Sequence, residues 1–269
     1  MLVQPAPTLL PAVAASLAPA RLRAFRRATQ GHNRLALEMY LVDARLASTM
    51  HATFRAVEVL VRERMHRALS ASFSERWFDV LETRGLLDAR TERKLAVARQ
   101  RAADGSAPSA GKVVAQLMLG AWVELLDRGA TGRYELELWP VLTTAFAGRG
   151  PTPPRQEVHD LAKRFNWARN RVNHCEPVVF GFPLVGERAP DGRQRRSAPA
   201  ALLEDVRALA DLADPAVSRW LRTCSAADDL IADPLAQRAL DHIAAQPGVV
   251  LRRPVTPTTR PALPEDGDG

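Results

Sequence analysis

The sequence predicts an all-α protein, and three observations support this fold class. Apolar residues recur every three or four positions over long stretches, most clearly in 49–69, as on one face of a helix. Stretches with the period of two that is typical of strands are few. Gly and Pro are concentrated between the periodic stretches, where they would end helices. A length of 269 residues and 46% hydrophobic residues are enough for a buried core, so we expect one helical bundle.

The first helices follow a Pro-interrupted segment, residues 1–18, that we expect to be a flexible arm. A short helix is predicted from about Ala20, and Gly31 ends it. The next helix starts at Asn33, a favourable N-cap residue, and continues through Leu46. A separate, longer helix is predicted over 49–69.

The middle of the chain predicts three further helices. A highly charged helix covers about 88–103, and a Gly-, Ser- and Ala-rich loop leads to a helix over 112–126, in which Gly120 indicates close helix packing. After a Pro-rich turn at 148–154, a basic helix starts near residue 155. It should end close to His174, because Pro177 disfavours helical geometry at the residue before it.

The last part of the chain contains an extended piece at 178–185 and an Arg-rich stretch at 186–199. We interpret the latter as a surface loop, with a phosphate-contacting loop as the alternative. Helices resume at 202–212, 216–221 and 235–245, and residues 246–269 are Pro rich and predicted to be disordered. The helical domain is thus expected to span 19–245.

Composition restricts the function only broadly. The net charge of +7 comes almost entirely from Arg, whose planar fork suits phosphate, although a GC-rich genome would give the same bias. Two cysteines form neither a disulfide framework nor a zinc motif, so we expect a cytoplasmic protein without a metal or other cofactor. No apolar run reaches the ~18 residues that span a bilayer.

The most polar stretch lies at the end of the basic helix, residues 169–177. Asn170 and His174 are four positions apart and share a helix face. Arg169 is one position away but long enough to reach the same point. A cation, an amide and an imidazole at one point would suit a phosphate group. Lys163 and Arg164, one to two turns earlier, could contact the backbone of RNA.

A second polar line lies on the helix over 49–69. Glu58, Arg62 and His66 follow each other at four-residue intervals, beside the apolar stripe. A surface ion pair with an exposed histidine explains this spacing without any function.

These stretches resemble a known superfamily. The segment Arg169-Asn170-x3-His174 resembles the Arg-x4-6-His motif of the HEPN superfamily, and its extension to Glu176-Pro177 is similar to the Abi-like (abortive infection) branch. Tyr40 and the line Glu58-x3-Arg62 are similar to the preceding Abi-like blocks, although Asp43 and Glu63 stand where that pattern has Asn. Further similar blocks lie at 113–126, 138–146, 214–221 and 233–234, so the resemblance covers roughly 20–240.

The resemblance implies a HEPN-type helical bundle with additional helices. It also implies a metal-independent endoribonuclease of anti-phage (abortive infection) defence, or a toxin. The residues it assigns are Arg169, His174 and Asn170 as catalytic, with Glu58, Arg62, Arg171 and Glu176 in support.

One histidine can act as base or acid in RNA cleavage but not easily as both, so we expect a homodimer with a composite active site. Two alternatives remain open: a non-catalytic RNA-binding or scaffold protein, and a toxin kept inactive by a partner protein or RNA.

Overall fold

The computed structural model describes residues 10–148, 150 and 153–254, and within them the protein is predominantly α-helical. The helices are α1 (Leu10–Ser16), α2 (Pro19–Ala28), α3 (Asn33–Ser72), α4 (Trp77–Thr83), α5 (Ala89–Ala102), α6 (Ala110–Gln116), α7 (Leu119–Leu125), α8 (Trp139–Leu142), α9 (Arg155–Asn173), α10 (Pro199–Ala213), α11 (Pro215–Cys224), α12 (Ala227–Ala232) and α13 (Pro234–Ala244). A π-helical turn (Tyr134–Leu138) and a 3₁₀ turn (Thr143–Phe146) flank α8. The strands are β1 (Phe182–Arg188), β2 (Gln194–Ser197) and β3 (Val249–Arg252).

The 40-residue helix α3 is the central helix of the bundle, with a length of roughly 60 Å at the standard rise per residue. It contacts α2, α7, α8, α9, α10, α12 and α13. The sequence predicted two helices here, and the structure has one. The stretch contains no Gly or Pro, and the hydroxyl of Thr49, at the predicted boundary, donates to the Arg45 carbonyl oxygen within the helix at 3.0 Å. The predicted boundary was therefore wrong.

Helix α9 packs between α3, α7 and α10. Its apolar face is buried, and the rings of Phe54 in α3 and Phe165 in α9 meet edge to face with centroids 5.5 Å apart. The helix ends at Asn173 with His174 as its C-cap, as Pro177 had indicated. The buried face of α9 thus anchors the helix to the core up to its C-terminal end.

A small sheet interrupts the helical architecture where a surface loop was predicted. β1 and β2 pair antiparallel, and β2 pairs with β3 in parallel. Gly181, immediately before β1, has a φ of +74°, and a Cβ there would lie 2.8 Å from the Ser197 carbonyl oxygen. β3 lies in the segment predicted to be disordered, so that prediction was wrong for 249–252. Residues 255–269 lie outside the described part.

Two other boundaries differ from the prediction. Residues 10–16 of the expected flexible arm form α1, and residues 1–9 lie outside the described part. The helix predicted over 112–126 is broken into α6 and α7, because Leu117 and Met118 are extended. The break buries Leu117 and leaves the Met118 side chain 53% exposed.

Among the described residues, no helix combines the length and hydropathy needed to cross a membrane.

Candidate functional site

The C-terminus of α9 closes with a Schellman motif. The backbone N–H of Cys175 donates to the Val172 carbonyl at 3.0 Å, and that of Glu176 donates to the Arg171 carbonyl at 3.0 Å. The motif requires a left-handed residue at Cys175, which has a φ of +53°. Glycine usually occupies this position because a Cβ is strained there. The strained residue directly follows His174.

Two arginine side chains hold the backbone of the segment that follows the helix. Arg171 donates through Nε to the Pro177 carbonyl at 2.8 Å and through Nη1 to Glu176 at 2.5 Å. Arg21 in α2 donates to the Cys175 carbonyl at 2.6 Å. The predicted supporting residues Arg171 and Glu176 therefore contact each other and the backbone.

Asp43 in α3 holds the end of the same segment. Its Oδ1 accepts the backbone N–H groups of Val178 and Val179 at 2.6 and 2.9 Å. Burial raises the pKa of the Asp43 carboxyl to about 6, although these two hydrogen bonds and the nearby Arg171 and Arg21 act in the opposite direction. The backbone of Val178 and Val179 is therefore held by a titratable side chain.

Arg169 is held from α3 by Glu58. Nε and Nη2 of Arg169 donate to the two oxygens of Glu58 at 3.0 and 3.2 Å, a bidentate pair whose side chains are about one-fifth exposed. The remaining nitrogen, Nη1, lies 3.4 Å from Oδ1 of Asn170. Glu58, Arg169 and Asn170 are thus brought together by the packing of α3 against α9.

The His174 side chain is not hydrogen bonded to this group. As the C-cap, His174 is one turn beyond Asn170, whose carbonyl accepts the His174 backbone N–H at 2.9 Å. Its side chain is exposed, and its ring makes no hydrogen bond to any described residue. The backbone of this histidine is hydrogen bonded to the helix, whereas no hydrogen bond to a described residue sets the orientation of its ring.

Arg169 and Asn170 form one wall of a groove of about 400 Å³ between α5, the α6–α7 break and α9. We call it the basic groove. Its polar and charged lining residues are Arg90, Arg93, Lys94, Arg101, Gln116, Asn166, Arg169 and Asn170. The apolar part of the lining includes the exposed side chains of Val97 and Met118.

The cations of the basic groove are only partly neutralised. Lys94 binds Glu124 at 2.6 Å, and Arg90 lies 4.0 Å from the same carboxylate. Arg93 and Arg101 have no carboxylate partner in the described part of the chain, and Arg101 contacts only the sulfur of Met118, at 3.8 Å. An extended anion can therefore meet free guanidinium groups in the groove.

Gly120, at the start of α7, lines the basic groove beside Lys94 and Asn166. Nζ of Lys94 donates to the Gly120 carbonyl at 3.0 Å. A Cβ on Gly120 would lie 3.3 Å from that nitrogen and 3.6 Å from the Asn166 amide. The close packing predicted for this glycine is confirmed, and it is packing against polar side chains.

The other predicted site residues lie elsewhere. Arg62 pairs weakly with its neighbour Glu63 at 3.4 Å. Lys163 lies over the ring of Trp167, with 4.9 Å from Nζ to the centroid. Arg164 is bound to Asp205 in α10 at 2.8 Å. None of these three lysine and arginine side chains lines the basic groove.

His66, the last residue of the predicted polar line, is part of the packing. Its Nδ1 lies 3.1 Å from the Trp77 indole nitrogen, which donates to it, and 3.3 Å from the Ser70 hydroxyl. The sequence did not identify Arg93 and Arg101 as site residues. The sequence shows that their helix is highly charged. It does not show that α5 lies opposite α9, because that arrangement depends on the tertiary fold.

Within the described ranges, no group of three or more His, Cys, Asp or Glu residues is arranged to hold a metal ion. Cys175 and Cys224 are free and exposed.

No protein-family model, no curated protein and no solved structure matches this chain significantly.

Proposed function

We propose that the protein is a metal-independent endoribonuclease of the HEPN type that acts in bacterial anti-phage (abortive infection) defence or as a toxin. The observation that carries the proposal is the placement of Arg169. Glu58 orients it in the basic groove, and His174 follows as the C-cap of the same helix, outside the lining of the groove. The cellular role rests on the Abi-like resemblance of the sequence blocks.

Arg169 would bind the scissile phosphate. Glu58 occupies the Nε and Nη2 edge of the guanidinium and Asn170 accepts from Nη1, which leaves one Nη1 hydrogen for a non-bridging phosphate oxygen. Charge that builds on the phosphate during the reaction is stabilised by such a fixed cation. Asn170 would help to hold Nη1 in place, since its Oδ1 is the neighbouring acceptor.

His174 would accept the proton of the ribose 2′-OH. The 2′-oxygen then forms a bond to the adjacent phosphorus, and the bond from phosphorus to the 5′-oxygen breaks. The leaving 5′-oxygen takes a proton from an acid, so the products are a 2′,3′-cyclic phosphate and a 5′-OH end. The exposed, unpaired ring of His174 is free to approach a bound RNA.

A second copy of the chain would supply the acid. One imidazole performs one proton transfer with ease, and a two-fold dimer brings a second His174 to the same phosphate. The exposure of the ring in a single chain fits a site completed by another subunit. RNA itself would lie along the basic groove, where Arg93 and Arg101 are free to bind phosphates.

The test is incubation of single-stranded RNA with the purified full chain in the presence of a chelator. We expect cleavage with 2′,3′-cyclic phosphate ends by the parent protein, and none by Arg169→Ala or His174→Ala. His32→Ala is the matched control, because His32 is also exposed and lies next to a helix end. Intact RNA with the parent, or equal cleavage by the parent and both site variants, would refute the proposal.

A second candidate function is RNA binding without cleavage. It is favoured by the ion pair that neutralises Arg169 and by the absence of a described hydrogen-bond partner that would orient the His174 ring. This alternative predicts salt-dependent RNA binding with no cleavage at any pH. The same incubation, repeated across pH, separates the two functions.

A further inference from the structure

A second basic cavity lies beside α2 and shares no lining residue with the basic groove. We call it the arginine pocket. Its volume is about 640 Å³, within the range of ~300–1,000 Å³ that is typical of pockets for small ligands. Its lining contains four arginines, Arg21, Arg27, Arg171 and Arg196, together with His242.

The four arginines come from three separate elements. Arg21 and Arg27 belong to α2, Arg171 to the last turn of α9, and Arg196 to β2. Their convergence is therefore a product of the tertiary fold and not of one basic stretch of sequence. No Asp or Glu is among the residues that line the pocket in the described part of the chain.

Arg196 is the most unusual member of this group. Its guanidinium donates to two backbone carbonyls, those of Phe180 at 3.1 Å and Gly181 at 2.8 Å, and to no carboxylate of the described residues. Burial and the adjacent charge of Arg171 lower the pKa of Arg196 to about 10. A buried cation beside a second cation is unfavourable unless an anion joins them.

The nearby carboxylates do not neutralise the cluster. Glu176 is bound to Arg171, and its charge also partly offsets the lowering of the Arg196 pKa, but its side chain is 51% exposed. The Asp43 carboxyl interacts with Arg171 and Arg21, but it accepts its hydrogen bonds from the backbone of Val178 and Val179. Four guanidiniums face these two carboxylates, and Arg27 has no described partner. The pocket keeps a positive charge that suits a dianion.

The remaining wall of the arginine pocket is apolar. It includes Ala24, Pro177, Phe180 and Ile243. Phe180 is buried and packs its ring against that of Phe25, with centroids 5.1 Å apart. A basic cluster next to a fixed apolar wall matches a ligand with a phosphate at one end and a flat organic group at the other.

We propose that the arginine pocket binds a nucleotide, with the arginines on its phosphate and the apolar wall against its base and ribose. The proposal does not depend on ribonuclease activity, because no residue of the pocket carries the cleavage chemistry. It adds a small-molecule site on the reverse of the segment that positions His174. Arg171 connects the two, since it lines the pocket and also holds Pro177 and Glu176.

The test is titration calorimetry of the full chain with adenosine 5′-monophosphate, adenosine and inorganic phosphate as probes. We expect the monophosphate to bind more tightly than either adenosine or phosphate, and to raise the thermal midpoint of unfolding. Adenosine binding as tightly as its monophosphate would overturn the role of the arginines. Phosphate binding as tightly as the monophosphate would overturn the role of the apolar wall.

Two variants locate the site. Arg27→Gln removes an exposed arginine without a described partner and should weaken monophosphate binding at least about tenfold. Arg23→Gln is the matched control, because Arg23 is exposed on the same helix but does not line the pocket. Arg196→Met should weaken binding further. Unchanged affinity in Arg27→Gln, or an equal loss in Arg23→Gln, would overturn the proposal.

Discussion

The buried carboxyl of Asp43 gives a quantitative test of how the end of α9 is held. Asp43→Asn keeps the shape of the side chain and an oxygen that can accept the N–H groups of Val178 and Val179. The substitution removes the carboxyl group that takes up and releases a proton. The comparison of parent and variant therefore isolates the titration of one group.

The magnitude follows from the pKa of the folded state. Burial raises the pKa of Asp43 from 3.8 to about 6, and each pKa unit corresponds to ~1.4 kcal/mol. The folded protein binds the proton more tightly than the unfolded chain. The stabilisation by this proton is complete below the unfolded pKa and is lost as the pH rises through about 6. The free energy of unfolding of the parent should thus fall by roughly 2.4 kcal/mol relative to Asp43→Asn between pH 4 and pH 7, since part of the full shift lies below pH 4.

Urea unfolding of both proteins at pH 4, 5, 6 and 7 measures this difference. Arg171 and Arg21, the charged neighbours of Asp43, are present in both proteins, so their contributions cancel in the comparison. A difference in unfolding free energy that stays constant across these pH values would show that Asp43 titrates normally and that its burial has no electrostatic consequence.

Three further predictions concern the helix end, the basic groove and the core. Cys175→Gly should raise the free energy of unfolding by about 0.5–1 kcal/mol in urea titrations, because it relieves the left-handed strain; no gain, or the same gain in Cys175→Ala, would contradict this. Arg101→Gln should lower the slope of log affinity against log salt for single-stranded RNA by about 0.7. The exposed Arg219→Gln is its control, and an equal change in both variants would exclude a specific contact. Phe165→Ala should cost about 3–5 kcal/mol of unfolding free energy by removing the ring that packs on Phe54, and a loss under 1 kcal/mol would place this contact outside the core.

Local patterns predicted the helices well. Helix α9 was expected from about residue 155 to His174 and spans Arg155–Asn173, because helical periodicity and Pro177 are both features of neighbouring residues. The division of α3 at Thr49 was wrong because hydroxyl residues at this position bond to the helix backbone rather than ending it. The strand β2, Gln194–Ser197, is too polar to show an alternating pattern, and its pairing with β3 joins distant segments.

The site was predictable only in part. The sequence predicted that Arg169, Asn170 and His174 would meet at one point. Arg169 does lie against Asn170, but the ring of His174 contacts neither by a hydrogen bond and does not line the basic groove. The resemblance added Glu58, which does bind Arg169. The direction of Arg171 and the pairing of Arg164 with Asp205 could not be inferred, because each depends on residues far away in the chain. Whether these residues cleave RNA stays a prediction.

The position of β3 affects where the chain can be shortened. Arg252 at its end binds Asp205 of α10 together with Arg164, and β3 covers the hydrogen-bonding edge of β2. Expression of a fragment that stops near residue 245 would uncover that edge, which favours association between molecules, and would leave Asp205 with one arginine. A fragment intended for biochemical work should therefore include all of β3 and extend beyond Arg252.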